Sequence, residues 1–400
     1  MFTRSRLPPH STPRTAKASL IAIWNFELQI VSWNTNQKVN AMIDRSPQND
    51  FEEPRDVIPL PPAVLEMMAS REHRLLHSIW HGTRNLWLSL EDGQRASITE
   101  LGWAPPRASA KASGPIINNG SGEDFLFMHR QMIIMVNETA KAAGAQPIKG
   151  WINIPPPSSE TNDDGFQIPP VWIDDSDPLS NRRIAALKTD VYYWSRMRWW
   201  DREYKNPQFL RQLKLGELGS LLEYTIHNDM HMRWSSVPRD PETGEPVPSG
   251  RADWDVSAKW DNPVYDFLGE FYSSHVNPVF WRLHGWIDDR VNDWYAAHQE
   301  GHPGEIVSAN VDEVPWFEKG RWVMTSDPWA GAKDGHHNGH HHHEMNMPAR
   351  APKMQNVEIM EKVSSILFPP PAAASGMKLA ATVSERVAAD RTSRMHLTWF

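Results

Sequence analysis

The sequence contains no cysteine. That absence excludes disulfides, thiolate metal ligands and cysteine nucleophiles, so any metal site must be built from histidine, carboxylate or backbone oxygen. Positive charge is also in short supply: 41 Lys and Arg stand against 49 Asp and Glu, a net charge of -8. No Lys/Arg stripe interleaved with aromatics stands out in the linear sequence, and no nucleic-acid partner is expected. Long hydrophobic runs are missing too. The longest near the start, "SLIAIWNFELQIV" (19–31), is interrupted by Asn25 and Glu27 and has no small-residue cleavage site after it. It reads neither as a signal peptide nor as a membrane span, so no membrane partner is expected and a cytoplasmic location is.

What is present is enough apolar material, 40% of 400 residues, to fill a substantial core. Few segments alternate with period two. Helical spacing of apolar residues predicts a long helix over 61–90, opened by prolines, and a second over 122–144 with acids in its first turn and Gly144 at its end. Further helical texture runs over 181–206 and 207–234, and a last helix from Pro278 to His298. The expected architecture is mainly α, with long loops around 104–122, 145–180 and 237–255 and irregular termini. Residues 1–45 read as an N-terminal tail, with Met42 an alternative start; 46–330 as the folded domain; and 331–400 as a His-rich and Pro/Ala-rich tail. That last stretch holds the tract "HHNGHHHH" (336–343), a candidate for collecting metal, one candidate helix at "VEIMEKVSSIL" and an aromatic tip "HLTWF", a candidate lid. Neither of these two C-terminal segments is expected in the core.

Of eighteen histidines, six lie in the tract and twelve outside it. Pairs spaced by four occur at His73/His77, His77/His81 and His227/His231, a spacing that puts two rings on one helix face. One such pair is usually a solvated face or a hydrogen-bonded core histidine; two clusters in helical context carry more weight. A zinc-protease helix needs Glu after its first His, and Ser78 and Asn228 occupy those positions. Three imidazoles per ion without thiolate or carboxylate suit copper and leave a coordination position open for dioxygen.

The stretch "HNDMH" (227–231), followed by "NPVFWRLHGWIDDR" (277–290), resembles the copper B site of type 3 copper proteins, the tyrosinase, catechol oxidase, phenoloxidase and hemocyanin group. "HSIWH" (77–81) with "GEDFLFMHRQM" (122–132) is similar to the copper A site in its arthropod form. The resemblance implies His77, His81 and His129 as one ligand set and His227, His231 and His284 as the other, with Phe280 packing beside them. His73 becomes a spare, expected to be exposed. Asn277 stands where the family carries Asp, the gap from His81 to His129 is wider than usual, and without cysteine no thioether-linked Cys-His pair can form.

The family likeness further implies a central four-helix bundle holding two copper ions, with dioxygen as co-substrate. The reaction would be ortho-hydroxylation of a phenol, oxidation of a catechol to a quinone, or both, on a small or peptide-borne substrate. Two alternatives stand beside it: a hemocyanin-like reversible oxygen carrier, and a non-catalytic scaffold with a degenerate copper A site. For phenol deprotonation Glu223, four residues before His227, is the candidate base acting through a water, with Glu217 as its alternative and Asn228 helping to orient that water. Asp288, four after His284, is read as a partner of a ligand ring or of a neighbouring helix. Arg233, Trp234 and "WSRMRWWDREY" (194–204) are read mainly as core or interface, with a substrate cleft as the other option.

Overall fold

The computed structural model describes residues 59–157, 167–173, 178–248, 255–331 and 356–369. The N-terminal tail, the tract at 336–343 and the tip at 396–400 lie outside them. Internal contacts divide the chain between Glu52 and Glu53, and every described residue belongs to the second unit. That unit is mainly helical, as expected.

The segment 61–90 is two helices rather than one. Helix α1 (Pro62–Ala69) starts at a proline and stops at Ser70, whose extended backbone breaks the ladder and whose Oγ accepts from the His73 N–H at 3.4 Å, capping α2 (Arg71–Leu86). A short helix α3 (Asp92–Glu100) follows, capped reciprocally by Glu91 and Gln94. The hairpin β1 (Ala110–Lys111) and β2 (Gly114–Pro115) then leads to α4 (Ser121–Ala142), which ends two residues before Gly144, itself in a left-handed conformation.

The stretch of helical texture over 181–206 divides at Thr189. Thr189 ends α5 (Pro178–Leu187) and caps α6 (190–203) by accepting from Tyr192 N–H at 3.1 Å. After a single turn, α7 (Pro207–Leu210), comes α8 (215–234), whose middle turn, Glu223–His227, is a π-turn. Such turns are frequent at functional sites. Helix α9 (Pro278–Gly301) is capped by Asn277, whose Oδ1 accepts from Val279 N–H at 2.9 Å. The hairpin β3 (Ser308–Val311) and β4 (Val314–Phe317) turns on Asp312 and Glu313, both at positive φ, and α10 (Val357–Leu367) closes the described chain.

The most extensive helix pairing joins α4 to α8, and glycine permits it. A Cβ on Gly219 would lie 2.1 Å from the carbonyl oxygen of Gly122, and one on Gly122 would lie 2.1 Å from that of Gly216, so the two backbones touch. His129 and His227 each follow this crossing by about two helical turns. Helix α9 packs on α4 and α8, and Gly285, next to His284, admits the backbone of Gly150 in the same way.

The C-terminal segment departs from expectation. Helix α10 packs along α2, burying Met360, Val363 and Leu367, and the ring of Phe368 lies over Gly82. Its apolar face has α2 as partner, a contact across most of the chain that periodicity in an eleven-residue segment does not reveal. His73 is likewise buried rather than exposed, with Nδ1 3.0 Å from Ser70 Oγ.

Gly219→Ala forces the α4–α8 backbones apart. It is expected to lower unfolding free energy by about 3 kcal/mol, at the upper end of overpacking costs, in urea denaturation. A change under about 0.5 kcal/mol would mean that the crossing is not tight.

Candidate metal centre

Four helices supply the six sequence-selected histidines: His77 and His81 from α2, His129 from α4, His227 and His231 from α8, His284 from α9. All six are buried, and their rings form one continuous cluster. His77 and His81 are 4.7 Å apart between ring centroids, and His81 is 5.5 Å from His129. On the other side His227 lies 4.6 Å from His231 and 5.0 Å from His284. The halves meet where His129 and His284 stack at 4.2 Å with 9° between planes. Phe280 contacts both halves, 3.8 Å from His284 and 5.5 Å from His77.

Candidate ligand nitrogens converge in two groups within 4.8 Å of one another: His77, His81 and His129, then His129, His227 and His284. The first is the predicted copper A set. The second contains two of the predicted copper B set and shares His129, while His231 stands beside it, 5.2 Å from His284 between centroids.

Hydrogen bonds fix which nitrogen can bind in five of the six rings, His77, His129, His227, His231 and His284. Nδ1–H of His77 donates to Phe271 O at 2.6 Å, of His129 to Phe125 O at 2.8 Å, of His231 to Leu268 O at 2.8 Å and of His284 to Phe280 O at 2.8 Å. His227 Nδ1–H points at Asn228 Oδ1, 3.1 Å away, and at Glu223 O, 3.4 Å away. Carbonyl oxygens only accept, so the proton sits on Nδ1 and the lone pair on Nε2. Buried Nε2 atoms of His77 and His129 have no hydrogen-bond partner. Those of His227 and His284 face each other at 3.1 Å. Two buried lone pairs at that separation repel unless they share a cation.

Electrostatics keep these donors available. Burial pushes the His227 imidazole down to about 3 and the His77 imidazole to about 4. His81, His129, His231 and His284 lie well below the ordinary histidine value through burial first and neighbouring imidazoles second. Every ring is therefore neutral at neutral pH, as a metal ligand must be. The converging groups are all imidazole among the described residues, a donor set that fits copper.

The candidate base is engaged elsewhere. Glu223 is buried, and its two carboxylate oxygens accept from Arg84 at 2.8 and 3.0 Å. Arg84, fully buried with its guanidinium 4.4 Å from the Trp80 ring centroid, also donates to Ser121 O at 2.7 Å and so joins α2, α8 and α4. Glu217 accepts from Lys214 N–H at the start of α8. Asn228 orients His227. Asp288 is a helix-pair partner: it receives Arg130 of α4 at 2.6 Å, while His284 turns its N–H to a backbone carbonyl. Arg233 and Trp234 are buried, as the core reading expects.

Sequence inspection overlooked the segment 267–276. Its Leu268 and Phe271 carbonyls each hold one histidine of a different half, and the Phe271 ring lies flat on His81 at 4.6 Å with 3° between planes. The segment also brings in a seventh buried ring, His275, 4.7 Å from His77, which donates from Nε2 to Met68 O at 3.0 Å. No short motif marks this segment; its apolar content, "FLGEFY", is the single available hint. His298 and His302, another pair spaced by four, have the ordinary structural role, donating to Leu213 O and Arg211 O.

A scan against protein-family models and a search of curated proteins return no match. What is said of the site therefore stands on its residues.

Arg84→Met strands a buried carboxylate and is expected to cost about 3–5 kcal/mol in urea denaturation, whereas adding Glu223→Leu should recover most of that loss. A double variant as unstable as the single one would show that Glu223 is not the partner that matters.

Proposed function

We propose that this chain is a type 3 dicopper oxidase of the tyrosinase class, acting on a phenol or catechol with dioxygen, and that α2, α4, α8 and α9 form the four-helix bundle around its metal pair. The observation that carries the reading is a cluster of six neutral, buried imidazoles, five of which bring donor nitrogens together in two groups that share His129, with the Nδ1–H of His77, His129, His231 and His284 held by carbonyl oxygens. His77, His81 and His129 would hold one copper, and His227, His231 and His284 the other. When bound, such a pair supplies two electrons to dioxygen and directs the oxygen toward an electron-rich ring.

The chain's own residues supply position and dryness. The carbonyls of Phe125, Leu268, Phe271 and Phe280 set the ring rotations, and Phe125, Phe271 and Phe280 exclude water from the faces of the rings. With Glu223 neutralised by Arg84, the pair's role in this reading is to fix α8 against α2 and α4, and Asn228 orients His227.

One observation favours the oxygen-carrier alternative: all six imidazoles are at most 3% exposed, and Phe271 covers His81. A site that stays closed binds dioxygen and excludes a phenol. Convergence of all three copper A candidates speaks against the degenerate-site alternative.

Copper-loaded protein lacking residues 336–343 is expected to hold two coppers per chain by elemental analysis and to consume oxygen with catechol, forming quinone. His129→Ala and His284→Ala should each lose at least one copper and reduce oxidation by about a hundredfold or more, the scale expected when a ligand shell is broken. Two coppers with reversible oxygen uptake and no quinone would select the carrier reading. Copper content unchanged in both variants would overturn the site.

A further inference from the structure

Among the described residues the buried arginines are Arg74, Arg84, Arg130, Arg233 and Arg290. A guanidinium leaves water at a large cost unless a carboxylate or a full set of acceptors meets it. Arg84 faces Glu223, Arg130 faces Asp288 and Arg290 faces Asp293. Arg74 has no carboxylate bonded to it, and all three of its nitrogens donate to backbone carbonyls, those of Ala69, Tyr272, Asn262 and Tyr265. Arg233, in the last turn of α8, has neither arrangement. It is fully buried, and its Nη1 donates to the carbonyls of Leu187, at the end of α5, and Thr189, at the start of α6. Its Nε and Nη2, both buried, have no hydrogen-bond partner.

Which nitrogens stay unmet matters. Nη1 lies on the Cδ side of the guanidinium, so Nε and Nη2 share the opposite edge, where two parallel N–H groups match the two oxygens of one carboxylate. Aromatic rings take up the surroundings of the plane, with Cζ 5.8 Å from the Tyr193 ring centroid and 5.7 Å from that of Trp234. Neither nearby acid serves the edge. Asp229 receives Arg183 on one oxygen and the Tyr192 hydroxyl on the other, and Asp190 is exposed. A second cation adds to the excess: Lys188 Nζ donates to the carbonyls of Arg233 at 3.0 Å and Ser235 at 2.6 Å. Burial pushes the Arg233 guanidinium down to about 10, against the pull of Asp190, Tyr193 and Tyr192.

We propose that the Nε–Nη2 edge of Arg233 is the binding site of a small planar oxyanion, a carboxylate of one or two carbons, held by two parallel N–H···O bonds at the corner of α5, α6 and α8. Each element of the geometry selects this class. Two coplanar donors suit two coplanar oxygens and give a spherical halide no second matched contact. Full burial of the guanidinium limits the occupant to a few heavy atoms. The charge an anion brings is the one that Asp190 and Asp229 do not supply. Bound there, it would tie the end of α8, two residues past His231, to the turn between α5 and α6. The site is separate from the histidine cluster and does not depend on whether that cluster is an oxidase centre.

The test titrates the full chain, without added copper, with sodium formate and, at matched ionic strength, with sodium chloride. Binding is read directly from the line width of 13C-labelled formate and indirectly from the thermal midpoint. Formate is expected to bind saturably with a dissociation constant on the order of 1 mM, near the ceiling for three heavy atoms, and to raise the midpoint as it saturates. Arg233→Lys retains the charge and a donor for the Leu187 and Thr189 carbonyls but lacks the two-donor edge, and should weaken formate binding about tenfold or more. Arg233→Met should abolish it. The Lys variant decides the matter should the Met variant fail to fold. A parent chain that broadens no formate signal overturns the proposal, as does chloride acting as strongly as formate, or formate binding that is the same in parent and Arg233→Lys.

Discussion

One buried guanidinium ties the histidine cluster together. Arg84 leaves water completely, which is tolerable only because its donors meet both oxygens of Glu223 and the carbonyl of Ser121 while its plane covers Trp80. Those partners belong to three of the four histidine-bearing helices or their first residues. Arg84 follows His81 by three residues, Glu223 precedes His227 by four, and Ser121 opens the helix that carries His129. The ion pair therefore fixes the relative height of three histidine-bearing helices close to the rings themselves. Arg130 does the same for the fourth, joining α4 to Asp288 and Asn292 of α9.

These charged ties work because the helices already touch. At Gly122 and Gly219 the backbones approach as closely as sterics allow, so the helix axes have little freedom to slide. Around the rings the ties are neutral: every resolved Nδ1–H goes to a carbonyl oxygen of backbone or amide. A carboxylate there would bring an uncompensated charge into a fully buried cluster, whereas a carbonyl fixes tautomer and ring rotation without one. Carboxylates are held one layer out, paired to Arg84 and Arg130. Charge balance is thus settled before any metal is considered, and the interior keeps six neutral donors.

Local periodicity made much of this legible. The i, i+4 histidines, the acids opening α4 and the proline starts of α1 and α9 are one-dimensional signals, and the structure places the six selected rings together. What sequence could not show is long-range. Ser70 looks like any serine until its cap splits a helix. Glu223 looks like a solvated glutamate until Arg84, over a hundred positions away, meets it. Segment 267–276 lacks regular structure over most of its length, so it leaves no periodic trace, yet two of its carbonyls orient histidines of the cluster. Helix α10 shows an apolar face whose partner is revealed only by the fold.

That irregular segment also couples the halves of the cluster. Leu268 holds His231 and Phe271 holds His77, three residues apart on one stretch of backbone, while the Phe271 ring covers His81. Moving the segment outward would uncover His81 and loosen one imidazole from each half together. Access to the centre and the geometry of its donors are therefore a single mechanical variable. Any such movement would break two buried hydrogen bonds and one ring stack at once. Each buried bond is worth about 1 kcal/mol net and the stack about as much, so together they hold the segment in place by a few kcal/mol.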